Sequence, residues 1–248
     1  MSSGEGVVAV TCLALEARIA LGPGVSVICN QGSHLVAAVE AAIARGAAGV
    51  ISFGIAGGLA PDLVAGDWIV GSAVRTGQES YSTDRAWARI LLEALPGAIH
   101  ADIVGMDVPI AGASEKRRLH ARTGAVAVDT ESHIAARIAA AHRIPFAACR
   151  AIIDSAHRDL PPAAMVGLRP DGTPDVLAVF RSVAKQPSQL PALIRTAVDA
   201  RIAGGALRRG RRQLGAGLGF PYFSNHAFDI LVPGRGEPVL SSPPSTRQ

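Results

Sequence analysis

Apolar residues in this chain fall into short unbroken runs, separated by stretches where they recur every third or fourth position. The runs at residues 7–13, 25–30, 49–54, 67–74, 125–128 and 146–153 predict strands, with a weaker one at 99–104. A strand that is apolar throughout is buried on both faces, as in the middle of an α/β sheet. Between them, Leu35, Val36, Val39 and Ile43 mark one side of a helix over 34–44, with Ser33 as its cap and Gly46 as its end. Residues 84–95 predict a second helix, capped by Asp84 and stopped at Pro96-Gly97. A short basic helix opens at Ser114 and ends near Gly124, and further helices cover 131–142, 176–184 and 189–214. Strands alternating with helices imply a largely parallel sheet covered on both faces. The expected fold is α/β, a single three-layer α/β/α domain with a mixed, mostly parallel central sheet. It spans residues 1–214, followed by a tail over 215–248 that is irregular or disordered.

Composition narrows the class. A chain of 248 residues buries a large core, and 49% of it is apolar against 4% aromatic. Small aliphatic side chains favour close packing of helices on a sheet. No apolar run approaches the roughly 18 residues of a membrane span. The first six residues lack the basic start of a signal peptide, so a cytoplasmic location is expected. Cys12, Cys29 and Cys149 all fall in predicted buried strands without metal-ligand spacing, which predicts reduced thiols and no metal site.

The net charge is +4, and Arg201, Arg208, Arg209, Arg211 and Arg212 concentrate it in one segment. Such a segment reads as a solvated helix face, as a contact with an anionic membrane surface, or as a partner site. Nucleic acid is disfavoured, because no aromatic residues are interleaved with these arginines.

Four places could carry chemistry. Asp129-Thr130-Glu131 follows a buried strand. It reads either as a helix start or as a ribose grip, with Glu131 accepting from two vicinal hydroxyls. Asp154 ends the strand over 146–153. It reads as a capped turn with Ser155 or as a general acid, for which its pKa must rise from about 3.9. Glu16 follows the first strand and is a surface carboxylate or a group that orients water. The glycine turn Gly54-Ile55-Ala56-Gly57-Gly58 lets a ligand approach the backbone but lacks the dinucleotide fingerprint. His157 reads as a loop brace. Acidic residues at strand ends sit where open sheets bind ligands, and the combination suits cleavage of a nucleoside.

Together these motifs resemble the purine nucleoside phosphorylase and uridine phosphorylase superfamily. Ala56-Gly57-Gly58-Leu59 with Gly66-Asp67-Trp68-Ile69-Val70 matches its glycine turn and following strand. Asp129-Thr130-Glu131 matches its acidic-Met-Glu ribose motif, and Arg150-Ala151-Ile152-Ile153-Asp154 its Arg-Ala-Ile-Ser-Asp purine motif. Glu16 matches its early catalytic glutamate. The resemblance covers about residues 7–204 and implies a nucleoside phosphorylase-like fold. It makes Asp154 and Glu16 catalytic, Glu131 and Thr130 ribose-binding, and Ala56, Gly57, Pro109, Ile110 and Ile153 the lining of the base pocket. It implies no cofactor, with inorganic phosphate as a co-substrate if the reaction is phosphorolysis. Gly32 and Arg75 are then the phosphate candidates.

Within the superfamily the chain resembles the 5′-methylthioadenosine/S-adenosylhomocysteine nucleosidases. By Asp107-Val108-Pro109 and Asp129-Thr130-Glu131-Ser132 it also resembles the hopanoid-associated phosphorylases. The narrower resemblance implies release of adenine from adenosylhopane. The implied partner is a lipid-linked nucleoside, with peripheral contact at the inner membrane face and a homo-oligomeric state. A loop over 158–174, with Leu160, Met165, Val166 and Leu168, is the expected apolar mouth. The alternatives are an ordinary methylthioadenosine/S-adenosylhomocysteine nucleosidase and a non-catalytic nucleoside-binding module. A basic membrane adaptor is a weaker third.

Overall fold

The structure, a computed structural model, describes residues 6–30, 32–166, 173 and 175–222. Its elements, in chain order, are β1 (Val7–Thr11), α1 (Ala14–Ala20), β2 (Val25–Cys29), α2 (Gly32–Ala44), β3 (Gly49–Gly58), β4 (Trp68–Thr76), β5 (Glu79–Ser82) and α3 (Arg85–Ala94). Then follow β6 (Ile99–Gly105), α4 (Ala113–Thr123), β7 (Ala127–Asp129), α5 (Ser132–His142), β8 (Phe146–Asp154), α6 (Pro162–Met165), α7 (Val176–Lys185) and α8 (Leu190–Leu214).

Among the described residues, all eight strands belong to one mixed sheet. β2, β1, β3 and β8 run parallel in that spatial order. β8 then meets β4 antiparallel, and β4, β6 and β7 run parallel. β7 returns to the far end of β3, pairing Val128 with Gly57 and Ala127 with Gly58. Strands β3, β8, β4, β6 and β7 therefore close into a ring, with β5 added antiparallel at β4.

The period-two geometry of a strand sorts the apolar runs into two cores. On β1, Val8 and Val10 face a cluster with Leu35 and Val39 of α2 and Ile134 and Ile138 of α5. Val7 and Ala9 face the other way, toward Trp87 and Leu91 of α3 and Leu207 of α8. This is the α/β/α layering that the alternating elements predict.

Several elements differ from the pattern-based expectation. Residues 14–20 form a separate helix. β3 runs straight through the predicted glycine turn to Gly58. β5 is polar, Glu79-Ser80-Tyr81-Ser82, and gives no apolar signal. The start of α4 is held by Asp159, whose Oδ1 accepts from Ala113 N at 2.6 Å, and Gly112 rather than Ser114 stands at the cap. Asp84 caps α3 as expected, accepting from Trp87 N at 2.8 Å. The chain does not leave the core at Gly215: Leu218 and Phe220 are buried, and Trp87 Nε1 donates to Leu218 O at 2.9 Å. Residues 223–248 of the expected tail lie outside the described residues.

Candidate functional site

The C-terminal ends of β1, β3, β7 and β8 meet at one edge of the sheet. Glu16 reaches it because only two residues separate the end of β1 from the start of α1. Its carboxylate folds back, with Oε2 accepting from Cys12 N and Leu13 N at 2.9 Å each. Oε1 accepts from Ile55 N on β3 at 2.7 Å. The side chain is buried, so it is not a surface carboxylate. Burial pushes its pKa up, opposed by Arg150 and by these three amides.

Arg150, on β8, is fully buried and is the hub of the cluster. Its Nε lies 2.6 Å from Asp129 Oδ2, a charge contact without hydrogen-bond alignment. Its Nη2 lies 3.5 Å from Glu131 Oε2, donates to Ser52 Oγ and lies 3.3 Å from Ser132 Oγ. Burial works against the guanidinium charge, yet Asp129, Glu131 and Glu16 together hold its pKa above the ordinary value.

Asp129 and Glu131 divide the two duties that the sequence left open. Asp129 serves the helix start: its Oδ1 accepts from Ser132 N at 3.0 Å, and its Oδ2 accepts from Ser132 Oγ. Glu131 stands at the cap position of α5 without a side-chain capping bond. It is buried, and Thr130 Oγ1 donates to its Oε1. Burial raises its pKa, with Arg150 opposing and Asp129 and Glu16 adding to the rise. Cys12 borders Glu131, and burial followed by that carboxylate pushes its thiol pKa up. Among the described residues, none of the three cysteines is in a disulfide.

A bulge brings Asp154 to the same edge. β3 and β8 are in step through Ala56 and Ile152; the next pair is Gly57 with Asp154, and Ile153 is the extra residue. Such a bulge re-aims the side chain beside it. Gly57 pairs with Val128 on its other side, so the strands bearing Asp154 and leading to Glu131 flank one glycine. A Cβ on Gly57 would lie 3.3 Å from both Asp154 Oδ1 and Val128 Cγ1. At Gly54 it would lie 2.6 Å from Glu16 Oε1 and 2.7 Å from Arg150 Nη1. These glycines are absent side chains that leave room for carboxylates and the guanidinium.

The sequence pattern missed Lys116. It sits on α4 with its side chain fully buried, and Nζ donates to Asp154 Oδ2. Nζ also donates to the carbonyls of Ser155 and Arg158, each at 3.2 Å. Burial raises the Asp154 pKa, and Lys116 opposes the rise. In sequence Lys116 is one cation among Lys116, Arg117 and Arg118, and only the fold turns it inward.

Other expected site residues lie elsewhere or serve packing. Ala56 is buried in the α2–α5 core. Ile110 is buried with Leu59, Val104, Leu119 and Val128 in a third small cluster, and Pro109 is exposed. Ala56 and Ile110 both pack among apolar neighbours. Ile153 is half-buried in the bulge. Arg75, a phosphate candidate, is exposed and pairs through its Nε with Asp102 Oδ2 at 2.5 Å. Gly32 opens α2 with φ of 54° and is exposed. His157 braces the loop, with Nε2 lying 2.7 Å from Pro61 O. In the expected mouth Met165 and Val166 are exposed, Leu160 is half-buried, and Leu168 lies outside the described residues. Among the described residues, no group of three His, Cys, Asp or Glu side chains is placed to hold a metal ion.

A family model described as the phosphorylase superfamily matches residues 19–190. No curated protein matches the chain in sequence. Solved structures match in fold. The 5′-methylthioadenosine/S-adenosylhomocysteine nucleosidase from Neisseria meningitidis, in complex with methylthio-immucillin-A, has a TM-score of 0.61 at 16% identity, covering 84% of this chain and 97% of its own. The corresponding nucleosidase from Helicobacter pylori, with butyl-thio-DADMe-Immucillin-A, gives 0.59 at 12% identity over 86% and 97%. Native futalosine hydrolase from Helicobacter pylori strain 26695 gives 0.57 at 14% identity over 86% and 99%.

Proposed function

The chain belongs to the phosphorylase superfamily, the nucleoside phosphorylases and nucleosidases, and on that premise we propose that it breaks the N-glycosidic bond of a purine nucleoside at the Glu16–Glu131–Asp154 edge. The observation that carries this reading is the convergence of three buried carboxyl groups from α1, the β7–α5 junction and β8 around the glycines of β3.

Lone pairs assign the roles. A carboxylate offers about four acceptor sites. Glu131 meets Thr130, the Cys12 thiol and Arg150, and the 2′ and 3′ hydroxyls of ribose would displace the two neutral donors from its oxygens. Glu16 spends three on backbone amides and keeps one for a water. As the C1′–N9 bond breaks, its electron pair moves to the base and positive charge builds on the sugar. Glu131 favours that charge electrostatically. Asp154 gives its proton to N7 of the departing base, and the Lys116 ammonium stabilises the carboxylate left behind. Water held by Glu16 adds to C1′ and passes its proton to the Glu16 carboxylate. Arg75 being taken by Asp102 favours water over phosphate as nucleophile.

The substrate we favour is adenosylhopane, with adenine as the leaving base. The exposed Met165 and Val166, on the segment that leaves Asp154, offer apolar surface for a lipid at the ribose 5′ end. The enzyme then works at the cytoplasmic side, in peripheral contact with the membrane and as a homo-oligomer. Incubation with adenosylhopane, with and without inorganic phosphate, and mass analysis of the sugar tests the reading. Free adenine and an unphosphorylated ribosyl product are expected. Equal turnover of methylthioadenosine would assign the ordinary nucleosidase instead. No adenine from either nucleoside would leave a binding module.

A further inference from the structure

The 25-residue helix α8 has an outward face that the proposed reaction does not use. Leu190, Ile194, Val198 and Ile202 recur every fourth residue and form one slanting stripe. Ile194 is 56% exposed and Val198 52%. Eighteen residues make about five helical turns, so Arg208 and Arg212 continue the azimuths of Leu190 and Ile194. The outward face is thus apolar in its first half and cationic in its last turns. There Arg208, Arg211 and Arg212 join Leu15, Arg18 and Ile19 of α1 around a cleft of about 470 Å³.

α7 repeats the theme. None of its residues is buried, Val176 is 73% exposed and Phe180 71%, and Arg181 and Lys185 are exposed beside them. The junction with α8 is held by the buried Gln189, which accepts from Ala163 N at 2.8 Å and donates to Ser182 O at 2.9 Å.

Charge selects the occupant. Residues 176–214 contain eight Lys and Arg side chains and one acid, Asp199. Asp199 already pairs with Arg158 at 2.5 Å. Two copies meeting through this face would bring cations together with no free carboxylate to answer them. A basic helix with an apolar stripe instead fits the headgroup–acyl boundary of an anionic bilayer.

We infer that the outer face of α7 and α8 docks on an anionic lipid surface. The stripe enters the acyl boundary, and Arg18, Arg208 and Arg212 rest on lipid phosphates. This extends the peripheral contact proposed above to a named surface, and it stands or falls separately from the glycosidic chemistry, which adenine release tests.

The experiment is co-sedimentation of the full chain with vesicles of phosphatidylcholine alone or mixed with phosphatidylglycerol. Light scattering of the free protein runs alongside. The wild type should sediment with the anionic vesicles only, and less as salt rises. Ile194→Ser/Val198→Ser and Arg208→Glu/Arg212→Glu should each weaken binding by about tenfold or more, since each arginine near such a surface contributes about fivefold. Both variants should keep the wild-type mass and circular dichroism. Failure of the wild type to sediment, or undiminished binding by both variants, would overturn the inference. So would release from vesicles by millimolar inorganic phosphate, which assigns a free-anion site. A fall in mass of the stripe variant would assign the face to a second copy. Adenine release lost with vesicle binding intact would count against the reaction alone.

Discussion

Lys116 Nζ donates to Asp154 Oδ2 with both side chains out of water. The pair is the least expected feature of the site, because an unopposed buried carboxyl and a paired one are different acids. Burial raises the Asp154 pKa and Lys116 restrains it. Removing the cation by Lys116→Met should raise the carboxyl pKa further. A protonated donor is lost as pH rises through its pKa, so the alkaline limb of the kcat/KM profile should move upward while kcat falls. A purely structural lysine would leave the limb in place. Asp154→Asn should cost about 10²–10⁴ in rate, with the folded state intact.

Gly54 predicts a steric outcome. A methyl group there meets Glu16 Oε1 at 2.6 Å and Arg150 Nη1 at 2.7 Å. Both are held in the buried cluster and cannot withdraw. Gly54→Ala should therefore cost about 1–3 kcal/mol of stability and displace Glu16 from Ile55 N. Denaturant unfolding and turnover check the two effects together.

Arg150 answers Asp129, Glu131 and Glu16 at once. Arg150→Met leaves those carboxyl groups buried without their cation. Breaking a buried pair in this way costs about 3–5 kcal/mol, or a fall in Tm of roughly 6–20 °C at this chain length. Arg150→Lys should recover little, because one ammonium cannot reach Asp129, Glu131 and the Ser52 hydroxyl together. Thermal unfolding of the two variants provides the measurement.

Glu16, Glu131 and Asp154 all have raised pKa values when folded. Each binds its proton more tightly in the folded than in the unfolded chain. Their contribution is fully present below the unfolded carboxyl value of about 4 and is lost as pH rises through the folded value. Glu16→Gln removes one such group and should flatten the decline of Tm with rising pH above about 4. An unchanged slope would show that Glu16 ionises in the folded protein as it does in water.

The layers of the fold were legible because apolar runs and helical stripes are local signals. Both cores follow from the alternation on β1. β5 was not legible, because a polar edge strand carries no burial pattern. The extension of β3 through Gly58 was hidden because three glycines look like a turn until two neighbouring strands pair with them. At the site, Glu16, Glu131 and Asp154 were legible as strand-end carboxyl groups. Lys116 was not, since its inward turn depends on α4 packing against a loop about 40 residues away in sequence. The loss of Arg75 to Asp102 has the same origin, a contact between residues 27 apart.

The closure of β3, β8, β4, β6 and β7 has a consequence for how such a protein diversifies. Backbone hydrogen bonds lock the rim that bears Asp154 and leads to Glu131, so mutation has little freedom to widen it. α7, none of whose residues is buried, can lengthen, shorten or change polarity at small energetic cost. New substrates would be acquired there, by redrawing the vestibule around an inherited reaction centre.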